Sequence, residues 1–317
     1  MIGSAPMRRA LLTASLGLAL APAGCLRSHA EANQAAKARI FQRAEDEAPP
    51  APPPAINVDA LGGSPETQDR MLDMTEEELA TRVGSFRLHG KLSLRFEGPG
   101  QHIAIDEDRL VEQAKSGDVH ARINDSDGNG AEIVSYGGKD YARSRYGPYI
   151  ARDRDSQLDD HRENAFGALR TLYELADRGL QLRGVGPGQG CTKFQVSQGS
   201  PRPLELPPRF TGRLDADTAK RFKFVYGRRL AGASGELCVN AQGLPTSVRL
   251  SLRWTASGDA GTGEVRADLT QPLTDVGGEV HIAAPENPQP EPHRPRGPFA
   301  TLSKLGFVAK PDGGPEE

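Results

Sequence analysis

No apolar stretch in the chain reaches the roughly 18 to 20 residues needed to span a bilayer. Nor is there a long basic run; beyond the N-terminus the nearest is the pair Arg228-Arg229. The net charge of −3 supplies no global field toward nucleic acid or an anionic membrane. Hydrophobic residues make up only 37%, while Pro and Gly number 25 and 36. Part of the 317 residues is therefore expected to be tail or linker. The remainder is still long enough to bury a core.

Catalytic patterns are missing too. There is no Gly-x-Ser-x-Gly elbow and no Gly-Lys-Ser/Thr phosphate loop. The seven histidines, His29, His89, His102, His120, His161, His281 and His293, are not paired at metal-ligand spacing. His89, His120 and His281 fall on strand positions and read as solvated. Asp106-Glu107-Asp108 and Asp159-Asp160 read as solvated turn and helix-start residues. Gly184, Gly186, Gly188 and Gly190 read as a flexible loop, because no helix start follows to cradle a phosphate. The chain is read as non-enzymatic, with no cofactor, no metal and no nucleic-acid partner.

What the chain does contain begins at its N-terminus. Met7-Arg8-Arg9 is a positive start, Ala10 to Ala21 an apolar run, and Ala23-Gly24-Cys25 a small-small-Cys ending. This is the layout of a secretory signal peptide. The ending resembles the lipobox of bacterial lipoproteins, with Pro22 where that motif favours Leu. The resemblance implies lipidation of Cys25, a membrane anchor through that lipid, and removal of residues 1–24. Leu26 after the cysteine points, by the same resemblance, to the periplasmic face of the outer membrane. Plain secretion is the alternative.

Lipidating Cys25 leaves Cys191 and Cys238, which an oxidising compartment would join. Such a bridge contributes about 4 kcal/mol on the chain-entropy account. Two free buried thiols are the alternative.

From 25 to 68 the chain is poor in large apolar residues and carries Pro49-Pro50-Ala51-Pro52-Pro53-Pro54, so it reads as an extended tether. A helix is expected over Pro65–Val83, with Thr75 capping its second part. Phe86, Leu88, Leu92, Leu94 and Phe96 alternate with Arg87, His89, Lys91, Ser93 and Arg95, the pattern of a strand with one wet side. Strands are expected at 101–107, 109–115, 119–124, 132–136 and 139–145, then an amphipathic helix at 156–178 carrying Phe166, Leu169 and Tyr173. More strands follow at 193–197, 221–226, 233–239, 247–256, 263–269 and 279–283. The clearest holds Val248, Leu250, Leu252 and Trp254 on one face. Residues 69–285 thus form one antiparallel-sheet domain of α+β class, and 286–317 a Pro-rich disordered tail.

Two local motifs remain. Asp125-Ser126-Asp127-Gly128-Asn129-Gly130 matches half of a calcium loop, but Tyr136 stands where the bidentate Glu belongs. An Asn-Gly hairpin turn is the reading preferred. Tyr141, Arg143, Arg145, Tyr146, Tyr149 and Arg152 could stack on an anionic or planar ligand. The preferred reading pairs those arginines with Asp153, Asp155 and Asp159.

The order of lipobox, linker, helix, meandering strands, central helix and further strands resembles the LolA/LolB and LppX-type periplasmic lipoprotein carriers. The stretch Thr270 to Pro285 is similar to the last strand of such carriers. The resemblance implies a large curved antiparallel sheet, a half-barrel, covered by amphipathic helices around an apolar cavity. A lipid or other apolar ligand would be held against Phe86, Leu88, Leu92, Leu94, Phe96, Phe166, Leu169, Tyr173, Leu250, Leu252 and Trp254. A tightly covered sheet would leave only a core. The protein would then dock an envelope partner on its basic strand face at Arg87, Lys91 and Arg95.

Overall fold

The structure is a computed structural model and describes residues 53–153, 156–202, 229–258 and 261–291. Cys25, the signal segment and the strand expected at 221–226 lie outside those residues.

Among the described residues, twelve strands form one open, curved sheet. In chain order they are β1 (Phe86–Gly98), β2 (Gln101–Gln113), β3 (Val119–Asp125), β4 (Gly130–Tyr136), β5 (Lys139–Ser144) and β6 (Ile150–Asp153). Then come β7 (Leu180–Pro187), β8 (Thr192–Gln198), β9 (Arg229–Val239), β10 (Pro245–Gly258), β11 (Gly261–Thr274) and β12 (Gln289–Pro290). The spatial order is β12-β6-β5-β4-β3-β2-β1-β11-β10-β9-β8-β7. Two hairpin meanders therefore meet where β1 pairs with β11, Leu92 opposite Leu269. All neighbours are antiparallel except the two-residue β12, which runs parallel to β6.

Hairpin chemistry explains the meanders. Gly137 and Gly138 both take positive φ, 58° and 80°, in the two-residue turn joining Tyr136 to Lys139. Such a turn twists with its strands, and only glycine enters it without steric cost.

Among the described residues, four α-helices cover one face of the sheet: α1 (Pro65–Leu72), α2 (Glu76–Val83), α3 (Ser156–Phe166) and α4 (Ala168–Leu175). The single helix expected at 65–83 breaks at Asp73. Ser64 caps α1 and Thr75 caps α2, each accepting from a backbone N–H three residues on. The second expected helix breaks at Gly167. The hydrophobic stripe of α4 buries Ala168, Leu169, Leu172 and Tyr173.

Five local expectations are corrected. Residues 101–113 form one strand, not two, because Asp106-Glu107-Asp108 continues the ladder with β1. Of the glycine-rich stretch, Gly184 and Gly186 belong to strand β7, with a bulge between them, because β8 supplies ladder partners, while Gly188 and Gly190 lie in the connection to β8. Residues 279–283 form no strand. The 125–130 turn bends at Gly128, φ 86°, where Asp125 accepts the N–H groups of Asp127 and Asn129. Gly130 already belongs to β4; a Cβ there would stand 2.7 Å from the Ile123 carbonyl oxygen. Finally, Ile56 and Leu61, in the stretch read as tether, are buried in the body.

Candidate functional site

Directly opposed residues of antiparallel strands share a face. Registers thus place Phe86, Leu88, Leu92, Leu94 and Phe96 of β1 beside Leu269, Ala267 and Val265 of β11, and those beside Leu250, Leu252 and Trp254 of β10. This inner face meets the helices. Phe86 packs edge-on against Phe166 at 6.2 Å between ring centres, and the Trp254 indole N–H donates to the Leu175 carbonyl at 3.2 Å. Phe86, Tyr173, Leu252 and Trp254 are each 0% exposed, and Leu92 is 1%. At zero exposure no water-sized void touches a side chain, so the helix-covered centre is filled by its own residues. Leu88, Leu94, Phe166, Leu169 and Leu250 are also buried; Phe96 is half-buried. All eleven residues expected to line a ligand thus share one cluster.

Sequence reasoning missed the polar residues inside that face. Glu107 stands opposite Leu92, and Arg109 opposite Gly90. Both point inward, with their side chains 0% and 4% exposed. Arg109 donates to the Glu107 carboxylate through Nε at 2.9 Å and Nη2 at 2.5 Å, and through Nη1 to the Asn164 carbonyl of α3 at 2.6 Å. On the other flank of Gly90, Gln271 is 5% exposed and its Oε1 has no partner. Gly90 makes room: a Cβ there would lie 3.6 Å from the Arg109 Cβ and 3.7 Å from Gln271 Oε1. The signal was legible as alternation: Ile103, Ile105, Glu107, Arg109 and Val111 share one parity.

The outer face is wet and charged. Arg87 binds Glu112, Glu112 binds Nδ1 of His120 at 2.8 Å, His120 Nε2 binds Glu132 at 2.7 Å, and Glu132 accepts from Arg143. The Arg143 guanidinium lies 4.4 Å from the centre of the Tyr149 ring. Burial opposes the charged imidazole, but the hydrogen bonds to Glu112 and Glu132 outweigh it and push His120 up to about 9. Burial likewise works against the Glu132 carboxylate, yet His120 and Arg143 hold it at about 2. His120 is therefore a clamped cation and not the solvated side chain expected. His89 meets Asp108 at 2.8 Å. His281 is 83% exposed, as read.

Arg143 and Arg145 of the tyrosine-rich segment do pair, but with groups other than the expected aspartates, of which Asp155 lies outside the described residues. Arg143 takes Glu132, and Arg145 takes the Asp125 carbonyl and the face of Tyr146. β4, and not the following loop, lies next to them in the sheet. Tyr146 is 80% exposed.

Cys191 and Cys238 are bridged, with Cα atoms 5.6 Å apart, tying the start of β8 to β9. A cleft of about 490 Å³ lies outside the core, between Pro53-Pro54 and α1, lined by Asp69, Arg70, Asp73 and Arg178. Burial pushes the Asp73 carboxyl up to about 6 despite Arg178. Among the described residues no group of His, Cys, Asp and Glu could hold a metal, and no helix is long and apolar enough to cross a membrane.

The chain is similar to several solved structures. A crystal structure of MucB matches over 72% of this chain and 66% of that one, at 18% identity and a TM-score of 0.24. The chain spans just under two thirds of that protein's length. An outer membrane lipoprotein-sorting protein domain from Vibrio parahaemolyticus matches over 62% and 89%, at 8% identity and a TM-score of 0.21. A LolA superfamily protein from Nitrosomonas europaea matches over 64% and 94%, at 9% identity and a TM-score of 0.20. At these scores the likeness carries no statement about ligand or partner. No protein-family model matches the chain, and no curated protein matches it in sequence.

Proposed function

We propose that this is a cell-envelope lipoprotein, anchored through Cys25 on the periplasmic face of the outer membrane, whose sheet domain works by docking a protein partner on its wet outer face. One observation carries the choice over lipid storage. Phe86, Leu92, Tyr173, Leu252 and Trp254, at the centre of the face that the described helices cover, are 0–1% exposed. An acyl chain there would have to displace close-packed side chains, and each loses contacts worth several kcal/mol when its neighbours part. Among the described residues, by contrast, no helix covers the outer face, which carries most of the cross-strand charges.

A second reading has its own support. Phe96, Ile103 and Ile105 continue the inner face at its far end and are only partly buried. An apolar ligand seated on that rim would extend the core without opening it, each buried CH₂ contributing about 0.8 kcal/mol.

Native mass spectrometry of the full-length protein released from membranes tests the choice. The docking reading expects a lipid-free domain mass beyond the covalent anchor. One stoichiometric, non-covalent lipid, lost on substituting Phe96 and Ile105 by Asp, overturns it in favour of carriage.

A further inference from the structure

An open sheet has two outer strands, and each presents a row of backbone N–H and C=O groups to any chain able to pair with them. Among the described residues the two outer strands are β7 and β12, and β12 covers β6 over two residues only. Gln289 stands beside Ile150 and Pro290 beside Ala151, in parallel. The Gln289 N–H donates to the Tyr149 carbonyl at 2.8 Å.

Backbone groups of successive residues on an extended strand point to alternate sides. Gln289 turns its N–H toward β6, so Pro288 and Pro290 turn their nitrogens away from the sheet. A proline nitrogen carries no hydrogen. The outward edge of β12 therefore offers carbonyls at 288 and 290 and no donor. The sequence continues the same alternation at Pro292. The phase is what matters: prolines shifted by one residue would have removed the very N–H that holds the segment to β6.

Underneath β12 lies an edge that fits its own copy. The outward residues of β6 are those in phase with Tyr149, namely Ala151 and Asp153. Two such edges, antiparallel about a two-fold axis at Ala151, are self-complementary, each Ala151 donating to and accepting from its mate. That register sets Ile150 against Arg152 and Tyr149 against Asp153, so no like charges are opposed. The β7 edge has devices of its own. A bulge separates Gly184 from Gly186, Pro187 ends the strand, and a Cβ on Gly62 would lie 3.9 Å from both the Leu182 carbonyl oxygen and the Gly184 nitrogen.

We infer that the segment around Gln289 is an edge guard: it occupies the β6 edge and, with its prolines turned outward, closes the sheet against strand pairing with a second copy of this chain. This holds whether the domain docks a protein or carries a lipid.

Sedimentation equilibrium of the full-length protein in density-matched detergent tests it. The wild type is expected at monomer mass. Gln289→Pro deletes the N–H that holds β12 and should shift the protein to dimer mass. Pro288→Thr/Pro290→Thr leaves that N–H in place, restores two outward donors and should also shift the mass to that of a dimer. Ala151→Cys added to Gln289→Pro should form an intermolecular disulfide, because hydrogen-bonded antiparallel partners stand about 5.5 Å apart at Cα, within disulfide reach. Circular dichroism verifies each fold, and the two β12 variants act on opposite sides of the segment, so either one serves alone. A dimeric wild type, monomer mass in the folded β12 variants, or a Gln289→Pro dimer that Ala151→Cys does not cross-link overturns the inference.

Discussion

Arg109 and Glu107, two residues apart on β2, form an ion pair inside the apolar face of the sheet, and Arg109 also donates to the Asn164 carbonyl of α3. The pair thus ties the sheet to its helix cover at a point where apolar contact alone would leave the cover free to slide. Removing water from both charges is expensive, and only mutual neutralisation and full hydrogen bonding offset it.

Breaking that pair from one side should therefore cost more than removing it. Glu107→Gln or Arg109→Met alone is expected to destabilise the domain by about 3–5 kcal/mol, because a charge is left buried. The double replacement Glu107→Leu/Arg109→Met should recover most of that loss. Urea unfolding of the four proteins measures it. Additive single effects would disprove the coupling.

His120 sets an alkaline limit. Its raised pKa, about 9, means its stabilisation is complete below the ordinary imidazole value near 6.5 and is lost as pH rises through 9. The midpoint of thermal unfolding should fall between pH 7 and 10 by an amount corresponding to on the order of 1–2 kcal/mol, since the network is partly solvated. His120→Gln should flatten that slope. Glu132, held at about 2, loses its contribution only as pH falls from 4.5 toward 2.

Asp73 should behave in the opposite sense to an ordinary carboxylate. Burial raises it to about 6, so its ionisation weakens the fold progressively as pH climbs from about 4 through 6. Asp73→Asn is expected to be more stabilising at pH 7.5 than at pH 4.5. Chemical denaturation at the two pH values decides it; equal differences would remove the assigned cause.

The Cys191–Cys238 bridge closes a loop of sequence separation 47. Cys191→Ser/Cys238→Ser should cost about 4 kcal/mol on the chain-entropy account. A reduced and an oxidised sample unfolding at the same temperature would contradict this.

Gly243 has φ 79° and its Cβ position lies 2.4 Å from the Ile56 Cβ. Gly243→Ala should destabilise by more than about 1–2 kcal/mol, the cost of a left-handed residue alone, because Ile56 must also move. Ile56→Gly in the same chain, which removes that Cβ, should relieve the excess.

Much of this fold was legible in the chain. Alternation of large apolar and charged residues in 86–96 and 247–256 identified two long strands and the side each would bury. Thr75 located the start of α2. What misled was chemistry that only a neighbour can supply. Asp106-Glu107-Asp108 looks like a turn until β1 lies beside it. Gly184 and Gly186 look like loop residues until β8 supplies a ladder. His120 reads as solvated because Glu112 and Glu132 are distant in sequence and adjacent only across strands.

The sequence by itself determined the two-faced strands, the hairpin meander and the candidate disulfide partners, because these depend on local alternation, turn chemistry and residue type. Only the tertiary structure decided that β1 pairs with β11 and that Arg95 therefore joins Arg266 and Arg253 in one row. Those outcomes depend on strand register, which is set by many weak contacts between segments more than a hundred residues apart and leaves no mark on any one of them.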